Sequence, residues 1–330
     1  MKDQNIVIST RTIFILLLIG LLFWMAWIIK PVLLALFVSL ILALALEPAV
    51  LWLNSRKVPH GVSVLTVVLA VFILVVSLAT VAIVPFVHQA QNLIIGFPKY
   101  LDNLSSAPGY EEYAVKFYDA LINQISQTSG NIIGATIGAF SGALSTVIVL
   151  VFTVYILLDF ENIRKKFIGF LPEANRDEIQ NLVTRIEKKL GGWLRGQIIL
   201  MLIIGVATYI GLAMLGLDFS LALAVTAGLF EIVPIIGPIL SLIPAVIIGF
   251  VVSPVMGFAV IGLYLLIQQM ENHLIVPKVM QRAVGLNPLV TIVALMVGGK
   301  LLGLVGAVLA IPLAIIVLEV VKFAIKSSRR

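Results

Sequence analysis

Long apolar runs separated by short polar joints dominate the chain, and most are long enough for a helix to cross a bilayer, for which about 20 residues suffice. Six run from Thr12 to Ile29, Val32 to Leu53, Gly61 to Val84, about Ala135 to Leu158, Gln197 to Leu215 and Gly257 to Val276. Two more, Phe219 to Val252 and Leu289 to Ile325, are too long for one crossing. The first of these is interrupted by Pro234, Gly237 and Pro238. Proline removes a helix donor and clashes with the preceding turn, so this run is expected to form two half-helices meeting at an unwound tip. The second is interrupted at Gly298-Gly299-Lys300 and again from Gly303 to Gly306, which predicts a short half-helix followed by a final span. The pattern is that of an all-α, polytopic membrane protein. It has about eight hydrophobic segments, with a broken re-entrant hairpin over 219–252 and a broken C-terminal element over 289–325.

Polar sequence is confined to a few places. The stretch 88–131 carries two basic residues, Lys99 and Lys116, and its second half places Ala114, Phe117, Leu121 and Ile125 on one stripe, as an amphipathic helix would. The stretch 159–195 instead gathers Arg164, Lys165, Lys166, Arg176, Arg185, Lys188, Lys189 and Arg195. Within it Ile179, Leu182, Ile186, Leu190 and Trp193 give a helix one apolar face. Basic residues concentrate on the cytoplasmic side of membrane proteins. By that rule both termini, 159–195 and Lys278 to Arg282 are expected inside, and 88–131 outside. The first run is closed by Lys30-Pro31 with no small-residue cleavage motif, and reads as an anchor. One transmembrane domain over 1–330, with a helical extracytoplasmic insert at 88–131 and a cytoplasmic helical segment at 159–195, accounts for the chain.

Composition sharpens this. Of the 330 residues 61% are hydrophobic and 12% charged, and the mean hydropathy is +1.16, against about 45 to 50% and 25% in soluble domains. A soluble enzyme is excluded. The formal charge of +6 is topology-setting loop charge and implies no nucleic-acid partner. With no cysteine there is no thiol nucleophile or thiolate metal site. Phosphate-binding loops and hydrolase motifs are also missing, so no enzyme activity and no cofactor are expected.

Candidate chemistry lies where ionisable groups interrupt apolar sequence, since a charge at the bilayer centre costs at least about 2.5 to 3.5 kcal/mol. Glu231 sits immediately before the Pro234 break, ~18 Å from the outer end of its half-helix and so near mid-membrane depth. It is placed either to bind a proton or cation at the tip, or to cap the free donors of the second half-helix. Glu271, beside Asn272 and His273, either caps the inner end of its span or lines a solute path. Lys300 either pairs with Glu231 where the two broken elements meet or reaches outward to the surface. His273 has no partner histidine at ligand spacing, and no metal is expected. Gly134, Gly138 and Gly142 recur every fourth residue, a face that lets helix backbones approach closely within this chain or between copies in a homo-oligomer.

Several motifs also resemble one family. Pro234-Ile235-Ile236-Gly237-Pro238, Glu271-Asn272-His273-Leu274-Ile275-Val276-Pro277, Leu286-Asn287-Pro288 and Gly303-Leu304-Val305-Gly306-Ala307-Val308-Leu309-Ala310-Ile311-Pro312 are similar to those of the bacterial autoinducer-2 exporter (AI-2E) family, as is Leu157-Leu158-Asp159 followed by Leu171-Pro172-Glu173. The resemblance implies a multi-pass protein of the bacterial cytoplasmic membrane. Members are linked to export of autoinducer-2 or to sodium or lithium exchange for protons. The expectation is a secondary transporter exporting a small polar solute and coupled to a proton or sodium ion, with Glu231, Pro234, Gly237, Pro238, Glu271, Asn272 and Lys300 as coupling and transport residues. Two alternatives stay open: a sodium(lithium)/proton antiporter using the same acids, and a non-transporting oligomeric scaffold.

Overall fold

A computed structural model describes residues 10–78, 80–81, 132–170, 176–280 and 285–327. The outer insert 88–131 and Leu171-Pro172-Glu173 lie outside the described residues, as do both chain ends and Arg282. Helices form in the described residues of all eight expected hydrophobic segments, and there is no strand among the described residues. The helices are α1 Thr10–Ile28, α2 Lys30–Ser55, α3 His60–Leu78, α4 Ile132–Leu158, α5 Phe160–Gly169, α6 Arg176–Met214, α7 Ser220–Phe230, α8 Ile236–Val252 and α9 Pro254–Met270. A π-helical turn, Glu271–Ile275, carries α9 into α10, Val276–Met280; α11 is Pro288–Ser327. By length and composition five described helices can cross a membrane alone, and a sixth crossing forms if α4 and α5, bent by 75° at Asp159, count as one.

The cytoplasmic helix and fifth span expected from the sequence are one rod. Helix α6 has 39 residues, roughly 58 Å, because nothing between Arg195 and Gln197 breaks the backbone where the charge ends. It is the spine against which α2, α7, α9 and α11 pack. Its contact with α2 is a fitted joint. Pro48 inside α2 has no N–H to offer the Leu44 carbonyl, and Arg195 supplies the missing donor, Nη1 reaching Leu44 O at 3.0 Å and Ala45 O at 3.4 Å. Gly191 makes the approach possible, since a Cβ there would stand 2.5 Å from the Leu44 oxygen. Around this joint Ile41, Leu44, Leu190, Trp193, Leu194 and Ile315 form the largest apolar core.

Two further cores place the broken elements. Helices α8 and α9 fold back on each other at Ser253, which caps α9 by accepting from Met256 N, and they bury Ala245, Ile248, Val260 and Tyr264 with Leu212 and Leu223. At the other end of α8, Val233 of the turn joining it to α7 packs on Leu295, Ala307 and Ala310 of α11. The two broken elements therefore meet, through apolar contacts. Helix α11 is itself broken at Gly303, whose φ of 61° and ψ of −141° are non-helical. Of the two expected interruptions, the one at Gly303 to Gly306 breaks the helix, and the one at Gly298-Gly299-Lys300 does not. Gly298 stays helical and serves a different end: a Cβ on it would run into the Gly306 carbonyl, so its lack of one lets the two arms of α11 close.

Candidate functional site

The tip between α7 and α8 is held from behind by α6. Close backbone approach fixes the register: a Cβ on Gly228 would stand 2.7 Å from Met201 O, and one on Gly205 would stand 3.4 Å from Ala224 O. This brings Gln197 to the end of α7, where its Nε2 donates to the Glu231 carbonyl at 2.5 Å. The tip then turns tightly. Val233 N donates to Phe230 O at 3.1 Å, Ile236 N to Pro234 O at 2.8 Å and Gly237 N to Val233 O at 2.9 Å. Ile235 adopts a φ of 72°, uncommon for a β-branched residue. At Gly237 a Cβ would collide with the Phe230 carbonyl and stand 3.0 Å from the Glu231 nitrogen.

Glu231 itself is only 1% exposed. Its Oε2 has no hydrogen-bond partner, and α8 has no side-chain cap. The capping reading of Glu231 is not what this geometry shows, because the first turn of α8 draws on the Pro234 and Val233 carbonyls instead. Gln197, fully buried, also leaves its Oε1 unpartnered. Two oxygen acceptors without donors thus sit behind the tip, an arrangement that costs free energy unless a proton, a cation or water fills it.

In front of the tip lies a cavity of about 550 Å³. Pro234 and Ile235 form one wall, Glu271, Asn272 and Pro277 another, and Gln197 and Trp193 of α6 the back. Glu271 starts the π-turn, is 4% exposed, and accepts from Gln268 Nε2 at 3.3 Å; Gln268 also donates to Asn272 Oδ1 at 3.4 Å. Glu271 and Asn272, the first two residues of the π-turn, both line the cavity. The carboxyl groups of Glu231 and Glu271 are within Coulombic reach of each other. His273 sits beside the Gln269 carbonyl at 3.0 Å, away from the cavity wall.

Sequence reasoning brought Glu231, Pro234, Gly237, Glu271 and Asn272 to this region, together with Pro238 in the first turn of α8. It did not find Gln197, Trp193 or Thr291, which also line the cavity. The signal for Gln197 was present as a lone amide opening an apolar run, but such a residue reads as the edge of a span. Lys300 is elsewhere. The expected pair is not formed: Lys300 is exposed and Glu231 Oε2 is buried without a partner. On α4, Gly142 is exposed with open space beside it.

A second charged cluster ties the basic end of α6 to α11. Glu319, buried to 5% exposure, takes Lys189 Nζ at 2.9 Å on one oxygen and Arg185 Nε at 3.3 Å on the other, with Lys322 Nζ at 3.9 Å.

Comparison with known proteins agrees with the membrane reading. The family profile described as AI-2E family transporter matches residues 12–326. YrrI of Bacillus subtilis, named as a candidate transport protein, is 26% identical over 91% of this chain and 89% of its own length. YhhT of Escherichia coli, named in the same way, is 27% identical over 84% of this chain and 80% of its own. A protein of Halobacillus andaensis named sodium-lithium/proton antiporter is 26% identical over 94% of this chain and 95% of its own. With a bundle of membrane-crossing helices and a profile match over nearly its full length, the chain belongs to the AI-2E transporter family.

Proposed function

We propose that this protein is a secondary transporter that exports a small polar solute, with Glu231 as the group that binds the coupling ion. One observation carries the reading: a buried carboxyl with an unpartnered oxygen stands at the unwound tip of a broken helix, directly behind a solute-sized cavity. The α7–α8 hairpin is the moving element, since an ion bound at its tip changes the charge that the tip carries across the cavity wall. Glu271 and Asn272 contact the solute from the π-turn.

Purified protein in proteoliposomes under imposed proton or sodium gradients tests this. Gradient-driven flux of autoinducer-2 or a similar small polar solute supports the reading, and its loss in Glu231→Gln assigns the coupling. Folded protein that moves neither solute nor ions contradicts it and favours a scaffold. A second reading, sodium(lithium)/proton antiport through the same acids, is favoured by the relative from Halobacillus andaensis. Its signature is proton movement on adding sodium, without any solute.

The proposal places the protein in the bacterial cytoplasmic membrane with both termini, 159–195 and Lys278 inside and 88–131 outside. Native protein has no cysteine, so a single one at Ser106 reports this, and its labelling from the cytoplasmic side alone contradicts the scheme. The open Gly142 face of α4 is read as a contact with a second copy, to be tested by crosslinking Gly138→Leu.

A further inference from the structure

We propose that the cavity between the basic end of α6 and the last turns of α11 binds the headgroup of an anionic phospholipid. The inference is independent of Glu231 and its coupling role. The cavity measures about 270 Å³. Glu178, Asn181 and Arg185, three and four residues apart, form its α6 wall, and Glu319, Lys322 and Lys326 form its α11 wall in the same spacing. Four cations gather here, because Lys189 also reaches Glu319. Only two acids oppose them, and both are engaged. Glu178 has a partner of its own. Glu319 already takes Lys189 and Arg185, with Lys322 at 3.9 Å.

Donors are therefore in excess. Arg185 is bound to Glu319 through Nε, at 3.3 Å, which leaves its Nη groups for a second acceptor. Lys326 is exposed and makes no ion pair among the described residues, and the Lys322 side chain is 63% exposed. A phosphate is the acceptor that fits, since a guanidinium fork and two ammonium groups satisfy its oxygens together. The surface around the cavity selects the source of that phosphate. Helix α11 exposes Leu313, Val317, Val320 and Val321, and the first exposed charge after them is Lys322. Lipid-facing sequence thus ends at the cavity. A phospholipid can place its phosphate among Arg185, Lys322 and Lys326 and lay its chains on this apolar surface, past Phe323 of the cavity wall. A soluble phosphate gains the first contact without the second. The surplus of cations over acids favours a headgroup of net negative charge over a zwitterionic one.

The test is thermal unfolding of the full-length protein in detergent, titrated with phosphatidylglycerol or phosphatidylcholine at matched mole fractions. Phosphatidylglycerol is expected to raise Tm saturably, and phosphatidylcholine to have no such effect. Each exposed lysine removed is expected to raise the half-saturating mole fraction about fivefold. Lys326→Gln, which loses no ion pair among the described residues, shows the first step, and adding Lys322→Gln shows the second. Lys165→Gln with Lys166→Gln removes the same charge from α5, outside the cavity, and should titrate as native protein does. Equal Tm in the two lipids, an unshifted titration in the Lys322→Gln, Lys326→Gln double variant, or an equal shift in the α5 variant overturns the proposal. Inorganic phosphate that raises Tm as the lipid does, and competes with it, assigns the cavity to a soluble anion and likewise overturns it.

Discussion

The two broken elements, α7–α8 and α11, solve one problem in different ways. Each is an apolar stretch too long for a single crossing, and each must reverse where unpaired backbone groups are costly. In α11 the reversal is closed by backbone alone. Gly303 supplies the positive φ, Gly298 and Gly306 bring the arms together, and the surrounding Leu295, Ala307 and Ala310 are apolar. In α7–α8 Gly237 also permits a tight turn, but the tip retains a carboxyl and a neighbouring amide with unpartnered oxygens beside a cavity. A fold that needed only to reverse direction would follow the α11 pattern. On the proposed function, the difference separates a structural break from a working one.

Filling the glycine contacts tests the shared part of this comparison and carries the largest expected effect. Gly237→Ala and Gly298→Ala should each lose about 1–3 kcal/mol, because the new Cβ meets backbone that cannot rotate away. Gly299→Ala, with open space beside it, should be neutral or gain up to about 1 kcal/mol. Thermal unfolding ranks the three, and equal Tm values for Gly298→Ala and Gly299→Ala would mean that the arms of α11 are not closed.

The smaller effects sharpen the contrast between structural and functional charge. Glu319→Gln removes the acceptor shared by Arg185, Lys189 and Lys322 and should cost about 1–2 kcal/mol, the half-exposed partners limiting the loss. High salt should shrink the difference from native protein, and a salt-independent loss would point to packing instead. Lys300→Met should change both Tm and flux least, within about 0.5 kcal/mol for stability, since Lys300 is exposed and does not reach Glu231. Flux lost in Lys300→Met would restore the charge pair that this structure does not contain.

Much of the fold was legible because bilayer thickness dictates segment length and proline dictates where a helix cannot continue. That reasoning placed all eight segments and the Pro234 tip. It left the break in α11 at two candidate sites, since Gly298-Gly299 and Gly303 are equally permissive in sequence and only packing of the arms decides that Gly303 leaves the helical region. It separated the basic helix from the fifth span at Arg195, although charge sets where a helix leaves the membrane and not where it ends. The candidate site was half legible. An acid in an apolar run announces itself through its cost, whereas Gln197 matters only because the Gly205 and Gly228 contact carries it to the Glu231 carbonyl, a relation between residues far apart in the chain.

The central claim is that Glu231 couples solute movement to an ion gradient, and gradient dependence measures it most directly. Solute flux through native protein and Glu231→Gln is compared in matched proteoliposomes, with and without an imposed proton or sodium gradient. The account predicts that native flux rises with the gradient, and that Glu231→Gln is folded, at native Tm or above because no bond is lost at Oε2, yet indifferent to the gradient. Flux through Glu231→Gln that follows the gradient as the native protein does would contradict it.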